Sequence, residues 1–319
     1  MKVFRGLPSA RARTPCALTI GNFDGVHVGH QALLRRVTQA AQRLGVTSAV
    51  MTFEPHPLEL FCPQRAPARI AGVRDKLAAL EAAGIERVFI MHFNRRFAAM
   101  PAQAFIQDVL LDALQVRWLM VGDDFRFGAG RAGDFALLER ASQTHGFTLE
   151  QLAPIHTISD PDRRRISSSL VRAALAAGDL ARARELLGHP YLITGRVMYG
   201  RQLGRTLGFP TLNLRIGHRR KMPTPAVHGI FAVRVHGLRT QALPAVASVG
   251  LRPTVDDSGR WLLEVHVFDF DEEVYGRRVS VEFIQRLRDE QRFDNLESLT
   301  RAIETDAAQA RALFTQGLA

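Results

Sequence analysis

The feature that most constrains the fold of this chain is a regular alternation of strand and helix patterns from residue 16 to residue 152. Apolar runs of strand length lie at residues 46–53, 87–93, 118–121 and 147–152, and helical patterns separate them at residues 74–83, 101–114 and 134–145. Gly84 and Gly146 end two of these helices, and Pro101 suits a first helical turn. This alternation predicts an α/β fold with a doubly wound parallel sheet, which binds its ligands beyond the carboxyl ends of the strands.

A different pattern follows residue 178. A short helix at residues 180–187 ends at Gly188, and period-two strands follow at residues 191–198, 230–235, 243–249, 262–268 and 279–283. Because no long helix interrupts these strands, we expect a small antiparallel β-barrel, with a C-terminal helix at residues 295–315 packed against it. The predicted domains are therefore residues 1–187 and residues 188–319.

Composition and charge restrict the ligands that suit this chain. Its 319 residues are typical of about two domains, and 46% hydrophobic residues suffice for ordinary packed cores. Lysine and arginine number 42 against 31 acidic residues, and the net charge of +11 favours anionic ligands. The basic runs at residues 163–165 and 219–221 are short and typical of solvated loops, so we expect no nucleic acid as a partner.

The two cysteines, Cys16 and Cys62, have no further cysteine or histidine at metal-ligand spacing. Structural zinc and a disulfide framework are therefore not expected, and a reducing compartment fits. No run approaches the roughly 18 apolar residues of a membrane span. We predict a cytoplasmic protein with no membrane partner, although the arginines of the first 15 residues also resemble those of a transit peptide.

The stretch at residues 21–30, G-N-F-D-G-V-H-V-G-H, lies where a strand passes into a helix. Free backbone N–H groups and the positive end of the dipole face a ligand at such a helix start. Gly25 and Gly29 permit close approach, and His27 and His30 are expected to project as hydrogen-bond donors. The combination predicts a site for a nucleotide triphosphate.

Two further loops are expected near the same sheet edge. The loop after residue 121 holds Asp124, Phe125 and Phe127 among glycines, a composition that suits either the surroundings of a flat ring or a glycine-rich loop with buried phenylalanines. At residues 166–172, Ser168 and Ser169 begin a helix, where serine is an ordinary N-cap. Arg172 lies one turn later, and its guanidinium would meet triphosphate oxygens with charge-assisted hydrogen bonds.

The three loops together resemble the H-x-G-H nucleotidyltransferase superfamily, and the string at residues 21–30 is similar to that of its flavin-adenylating branch. The resemblance implies that the histidines and Arg172 act on ATP phosphates while an acceptor phosphate attacks the α-phosphorus. It also implies flavin binding by Asp124, Phe125 and Phe127. The ATP-binding residues that it implies are Gly21, Asn22, Phe23, Asp24, Gly25, Gly29, Ser168 and Ser169.

The glycine-rich run at residues 195–213 is neither a Walker A loop nor a dinucleotide fingerprint. Its glycines could be simple barrel turns. Thr211 and Asn213, however, place a hydroxyl and an amide carbonyl on alternate residues, and such hard oxygen ligands suit Mg²⁺ held against ATP phosphates. Further along, Glu264 lies among apolar residues of a strand, so we expect it to be buried with a raised pKa, which suits a base.

This second half resembles riboflavin kinases, whose P-T-x-N and L-E-V-H segments are matched here by residues 210–213 and 263–266. The resemblance implies that Glu264 is the catalytic base and that Thr211 and Asn213 bind the metal. Ser248 stands where the family usually has asparagine, which puts a local hydrogen bond in doubt. The ATP-binding residues that the resemblance implies are Gly195, Gly200, Gly204, Arg205, Gly208, Pro210, Thr211 and Asn213.

Both resemblances together predict a bifunctional enzyme that phosphorylates riboflavin to FMN and then adenylates FMN to FAD, with Mg²⁺ as cofactor and ATP as co-substrate. The expected partners are riboflavin, FMN and ATP, and a homo-oligomer is compatible with the sequence. Three alternatives stay open: a nucleotidyltransferase for pantetheine phosphate or a sugar phosphate, an RNA-binding or aminoacylating protein, and a binding module without catalysis. Another nucleotidyltransferase would leave the barrel motifs unexplained. An aminoacylating protein would carry a K-M-S-K-S-like loop, which this sequence lacks. A binding module without catalysis would not need the full set of candidate side chains, which is present.

Overall fold

The computed structural model of the chain describes residues 1–157, 164–200, 208–216, 224–251 and 261–317. Its N-terminal half contains a six-stranded parallel sheet with the strand order β1-β4-β3-β2-β5-β6. The strands are β1 (Lys2–Arg5), β2 (Cys16–Ile20), β3 (Thr47–Glu54), β4 (Arg87–His92), β5 (Val116–Gly122) and β6 (Thr148–Leu152). The predicted α/β fold is confirmed, but β1 was missed, because four mostly exposed residues at a sheet edge give too short a pattern.

Helices cover both faces of this sheet. The bounds of the helices are α1 (Val28–Leu44), α2 (Pro57–Phe61), α3 (Val73–Ala82), α4 (Arg95–Ala98), α5 (Ala102–Ala104), a π-helix (Phe105–Ala113) and α6 (Phe135–His145), with 3₁₀ turns at Ala10–Ala12, Pro63–Arg65 and Ala129–Arg131. The π-helix and α6 pack against Leu18 and other alternate strand residues. Helix α1 contacts β2, β3 and β5, and its buried side chains lie outside that cluster, so it covers the opposite face.

The second half forms a closed antiparallel barrel with the strand order β10-β11-β8-β7-β12-β9. Two short helices, α7 (Ser168–Ala177) and α8 (Leu180–Leu187), precede it, and a long helix, α9 (Leu296–Thr315), follows it. The strands are β7 (Leu192–Met198), β8 (Leu212–Arg215), β9 (Gly229–His236), β10 (Leu243–Leu251), β11 (Trp261–Val267) and β12 (Arg278–Arg288). The predicted small barrel with a C-terminal helix is confirmed.

The C-terminal helix explains why β9 is buried on both of its faces. Ile230 and Ala232 point outward from β9, yet they are buried in a cluster with Ala307 and Ala310 of α9. The guanidinium of Arg288 fixes this helix by donating to both carboxylate oxygens of Asp306, at 2.8 and 2.7 Å. The helix therefore packs on the outside of the barrel and forms a second hydrophobic cluster with it.

The chain divides into two compact units, residues 1–67 with 76–167 and residues 68–75 with 168–319. The segment 68–75 joins the second unit through hydrogen bonds such as that from the Thr194 N–H to the Asp75 carboxylate, at 3.3 Å. The predicted domain boundary between residues 187 and 188 stays a prediction.

Candidate functional site

The loop that joins β2 to α1 takes a backbone path that few residue types adopt. Phe23 and Val26 have positive φ angles of 48° and 42°, and Gly25 has a φ of 83°. Non-glycine residues in this region are strained, and such strain is concentrated at functional sites. His27 is the N-cap of α1, where its Nδ1 accepts the backbone N–H of His30 at 3.3 Å. The loop therefore packs closely against the N-terminus of α1, which is the positive end of the helix dipole.

The two histidines of this loop form one compact pair. Their rings stack with centroids 3.7 Å apart and planes 16° apart, and the ring of Phe23 is tilted against that of His30 with centroids 4.9 Å apart. A Cβ at Gly29 would lie 3.2 Å from the His27 ring, so glycine gives this pair its room. Because Nδ1 of His27 accepts a hydrogen bond, the neutral ring carries its proton on Nε2 and is left with one donor.

The electrostatics of the pair favour a neutral His30. Burial, followed by the nearby His27 and Lys76, holds the pKa of His30 well below its usual range. Within the described part of the chain, Nδ1 of His30 and Oδ1 of Asn22 are buried and meet no hydrogen-bond partner. Because buried polar atoms are normally satisfied, these two atoms mark a place where a polar ligand or water binds.

The loop after β5 contributes side chains to the hydrophobic core. Phe127 is buried, lies 5.3 Å from Phe105 and 5.6 Å from Phe125 between ring centroids, and belongs to the core beneath the sheet. A Cβ at Gly133 would lie 2.6 Å from the Phe127 ring, so this glycine is required by packing. Asp124 is exposed and Phe125 is half-buried. Flavin binding by these residues stays a prediction, and Phe127 contributes to the fold in either case.

The serines and arginine of the third loop belong to the second compact unit. Ser168 and Ser169 begin α7, as predicted for helix-start residues. The Nε of Arg172 donates to the backbone oxygen of Ala68 at 2.6 Å, so this guanidinium supports the segment 68–75 of the same unit. Phosphate binding by these three residues stays a prediction.

Three polar residues of the barrel face one another across neighbouring strands. Glu264 on β11 lies opposite Asn213 on β8 and opposite Ser248 on β10. Residues opposite each other in an antiparallel pair share a face, with Cβ atoms about 5 Å apart. The barrel therefore places a carboxylate between an amide and a hydroxyl, although the three residues are far apart in the sequence.

The expectation that Glu264 is buried is wrong. Leu263 and Val265 point into the barrel and are fully buried, whereas Glu264 lies on the other face and is exposed. Apolar neighbours along a strand point away from the residue between them, so they do not bury it. An exposed carboxylate at this point is accessible to a substrate.

The amide of Asn213 is held in a fixed orientation. Asn213 is 6% exposed, and its amide packs so closely on Gly200 that a Cβ there would find no room. Its Nδ2 donates to the backbone oxygen of Thr211 at 3.3 Å. His266 fixes the segment that leads into β8, because its Nδ1–H donates to the backbone oxygen of Pro210 at 2.9 Å.

The remaining glycines of the predicted nucleotide-binding run have different surroundings. A Cβ at Gly195 would lie 2.8 Å from Leu214, so glycine is needed there for packing. Gly208 has a positive φ of 84° with open space around it. Gly204 and Arg205, which were also predicted to bind ATP, lie outside the described residues.

A second carboxylate lies near Glu264. Glu290 follows β12 and packs against Gly250, where no Cβ could be accommodated. Burial raises the pKa of Glu290, Arg288 opposes this effect, and the charge of Glu264 adds to it. Among the described residues no group of three or more histidines, cysteines, aspartates or glutamates could hold a metal ion.

Comparison with protein families matches each half of the chain separately. The family model described as FAD synthetase matches residues 9–170, and the model described as riboflavin kinase matches residues 187–314. Bifunctional riboflavin kinase/FMN adenylyltransferases from Escherichia coli strain K12 and Haemophilus influenzae are 46% and 44% identical to this chain, over 98% of it and 98% and 99% of their own lengths. The chain belongs to the bifunctional riboflavin kinase/FMN adenylyltransferase family.

One solved structure is similar over almost the whole chain. A crystal structure described as a macrolide-efflux protein from Streptococcus pneumoniae is 28% identical, has a TM-score of 0.71, and is matched over 96% of both chains. In the described part of this riboflavin kinase/FMN adenylyltransferase family member, no helix has the length and apolar character required to cross a membrane.

Sequence reasoning missed two charged residues next to the candidate residues of this family member. Lys76 is 3% exposed and lies near His30, and Glu290 lies near Glu264. Helical periodicity could have indicated that Lys76 is buried, because it precedes the buried Leu80 by one turn of α3 and so shares its face. No local pattern marks Glu290, which follows a strand in a polar segment.

Proposed function

We propose that this chain catalyses two consecutive reactions: riboflavin and ATP give FMN and ADP at the barrel, and FMN and ATP give FAD and pyrophosphate at the parallel sheet. The observation that carries the proposal is the ordered match of two families to two regions, each of which contains its own cluster of candidate side chains. The stacked His27–His30 pair supports the second reaction. The facing Asn213 and Glu264 support the first.

In the kinase reaction, Glu264 takes the proton from the 5′-hydroxyl of the ribityl chain. The hydroxyl oxygen then forms a bond to the γ-phosphorus of ATP, and the bond from that phosphorus to the bridging oxygen of ADP breaks. The exposure of Glu264 supports this role, since the carboxylate must reach the substrate. Positioning and charge stabilisation carry most of the catalysis in phosphoryl transfer, and a well-placed base adds to them.

The barrel residues fit Mg²⁺ in their chemistry. With Nδ2 of Asn213 turned to the oxygen of Thr211, the amide oxygen is the atom left to accept a cation. Amide and hydroxyl oxygens are ligands that Mg²⁺ accepts when substrate phosphates and water complete its shell. Asn213 and Thr211 would hold the ion, which would neutralise charge on the ATP phosphates.

In the adenylylation reaction, a phosphate oxygen of FMN attacks the α-phosphorus of ATP, and pyrophosphate leaves. The proton of neutral His27 lies on Nε2, and the amides at the start of α1 add donors at the positive end of the helix. Donors fixed before the reaction stabilise the charge that develops at phosphate oxygens without reorganisation. Ser168, Ser169 and Arg172 are proposed ligands of the remaining phosphates.

Two wider predictions belong to the same proposal. The boundary between the catalytic domains is placed between residues 187 and 188. A cytoplasmic location is supported by the two cysteines, Cys16 and Cys62, which are both free thiols.

Product analysis tests the proposed function. The purified chain is incubated with riboflavin, Mg²⁺ and ATP, and the flavins are separated by chromatography; FMN and then FAD are expected. Supplied FMN should give FAD and pyrophosphate in equal amounts. Chelation of the metal with EDTA should stop both reactions. Unchanged riboflavin and FMN, or transfer of AMP to pantetheine phosphate instead of FMN, would contradict the proposal.

A further inference from the structure

Lys76 is a buried charged residue that no motif of the chain includes. It is 3% exposed, and lysine is rarely buried to this extent unless its ammonium is held by partners. Its Nζ donates to the hydroxyl of Thr52 on β3, at 3.4 Å. Both residues belong to the same compact unit as the loop at residues 21–30.

The hydroxyl of Thr52 connects this lysine to the loop. Thr52 is 2% exposed, and its Oγ1 donates to the backbone oxygen of Asn22 at 3.1 Å. A hydroxyl has one donor and two acceptor positions, so accepting from Lys76 turns its proton towards Asn22. Lys76, Thr52 and Asn22 thus form a hydrogen-bonded chain that ends in the backbone of the loop.

The ammonium of Lys76 also acts on the histidine pair. Burial, then His27 and then Lys76 oppose the protonation of His30. The neutral form of His30 is therefore favoured, and its two ring nitrogens provide one donor and one acceptor for hydrogen bonding.

We propose that Lys76 is a positioning residue for FMN adenylylation: it holds the loop at residues 21–30 through Thr52 and places a fixed positive charge beside His30. This inference rests on the proposed function, since it assigns Lys76 to the adenylylation reaction. No substrate atom needs to touch Lys76 for it to act in this way.

The first experiment measures the titration of His30 directly. The ring resonances of His30 are followed against pH by NMR in the full chain, in Lys76→Met, in Lys76→Arg and in Lys2→Met, whose lysine is exposed on β1. Removal of the buried charge should move the His30 midpoint upward. Lys76→Arg keeps the charge and Lys2→Met leaves the region intact, so both should titrate like the wild type.

The second experiment separates the charge from the hydrogen-bonded chain. In Lys76→Met, kcat/KM for FMN adenylylation should fall about tenfold or more, the loss expected for one hydrogen bond to a charged group. Thr52→Val removes only the connecting hydroxyl, so adenylylation should fall while the His30 titration stays unchanged. Thr52→Ser keeps the hydroxyl and should recover most of the activity. Riboflavin phosphorylation by the same proteins serves as the internal control.

The outcomes distinguish this inference from the proposed function. If the wild type makes no FAD from FMN, the proposed function itself fails. If the wild type does so, an unchanged His30 titration and unchanged adenylylation in Lys76→Met overturn the role of Lys76. If Lys76→Met fails to fold, Thr52→Val decides, since normal adenylylation in that variant would show that the connection to Asn22 does not matter.

Discussion

The loop at residues 21–30 holds its candidate ligands in one stretch of chain, whereas the barrel collects Asn213, Ser248 and Glu264 from three strands. In the loop, the geometry is local: a histidine caps the helix that it precedes, and residues with positive φ wind the chain onto that helix. In the barrel, the geometry depends on strand register. A slip of one residue would turn Glu264 to the other face of its strand.

Because of this difference, different substitutions are expected to disturb the two sites. The loop depends on its capped helix and on close contacts within it, such as the His27–His30 stack, together with the hydrogen bond from Thr52. The barrel site depends on the closure of the whole sheet, while the exposed Glu264 itself supports little of the fold. Variants of Glu264 are therefore expected to change catalysis with little change in stability.

The largest expected effect is that of Glu264→Gln. Removal of the base should lower the rate of riboflavin phosphorylation by about 10²- to 10⁴-fold, because the ribityl hydroxyl then has no proton acceptor. Adenylylation of supplied FMN should continue at the normal rate. Separate assays of the two reactions measure this, with Glu272→Gln, an exposed carboxylate paired with Arg239, as the matched control. Near-normal kinase turnover in Glu264→Gln would remove Glu264 from the reaction.

The second-largest effect is expected at the loop of residues 21–30. His30→Ala should lower FMN adenylylation by about a hundredfold or more, since one donor fixed before the reaction is lost, and should leave riboflavin phosphorylation intact. His145→Ala changes an exposed histidine at the end of α6 and should alter neither reaction. Equal loss of both activities in a folded His30→Ala protein would argue against two separate sites.

Arg172 tests the proposal that α7 supplies a ligand for the ATP phosphates. Arg172→Lys keeps the charge but loses the guanidinium fork, so FMN adenylylation should fall about tenfold through a higher KM for ATP. Arg182→Lys, on the next helix, is the matched control. Should riboflavin phosphorylation fall instead, the contact of Arg172 with Ala68 would be its main role.

The smallest expected effect concerns the strand that leads into the loop. Burial raises the pKa of Cys16 to about 12, and its Sγ–H donates to the oxygen of Leu114 at 3.3 Å. A thiol reagent at pH 8 should therefore label the half-buried Cys62 and not Cys16, with both labelled after denaturation. Labelling of both cysteines at one rate would mean that β2 opens readily.

The same thiol gives a pH dependence of stability. The thiolate is disfavoured in the folded protein, so the contribution of Cys16 to the free energy of unfolding is complete below its ordinary pKa of 9.0 and is lost as the pH rises towards 12. Denaturant unfolding of the wild type and of Cys16→Ala over this pH range measures it. The variant should show the smaller decline.

Much of the architecture could be predicted from the sequence. Alternating strand and helix patterns indicated the parallel sheet, period-two strands indicated the barrel, and Gly45 and Gly146 end their helices in the left-handed conformation expected of glycine. The loop at residues 21–30 was recognisable because its helix cap, glycines and histidines lie within one short segment. Local interactions of this kind are encoded by neighbouring residues, and neighbouring residues are what a sequence pattern displays.

Other features were decided only by the tertiary structure. Glu264 was expected to be buried and is exposed, Lys76 was unnoticed although it reaches the loop through Thr52, and Arg172 lies in the unit of the barrel. Periodicity indicates which residues share a face of a strand or helix, but it does not specify which other element will cover that face. Strand register, barrel closure and helix packing make that choice, because they depend on contacts between residues that are distant in the sequence.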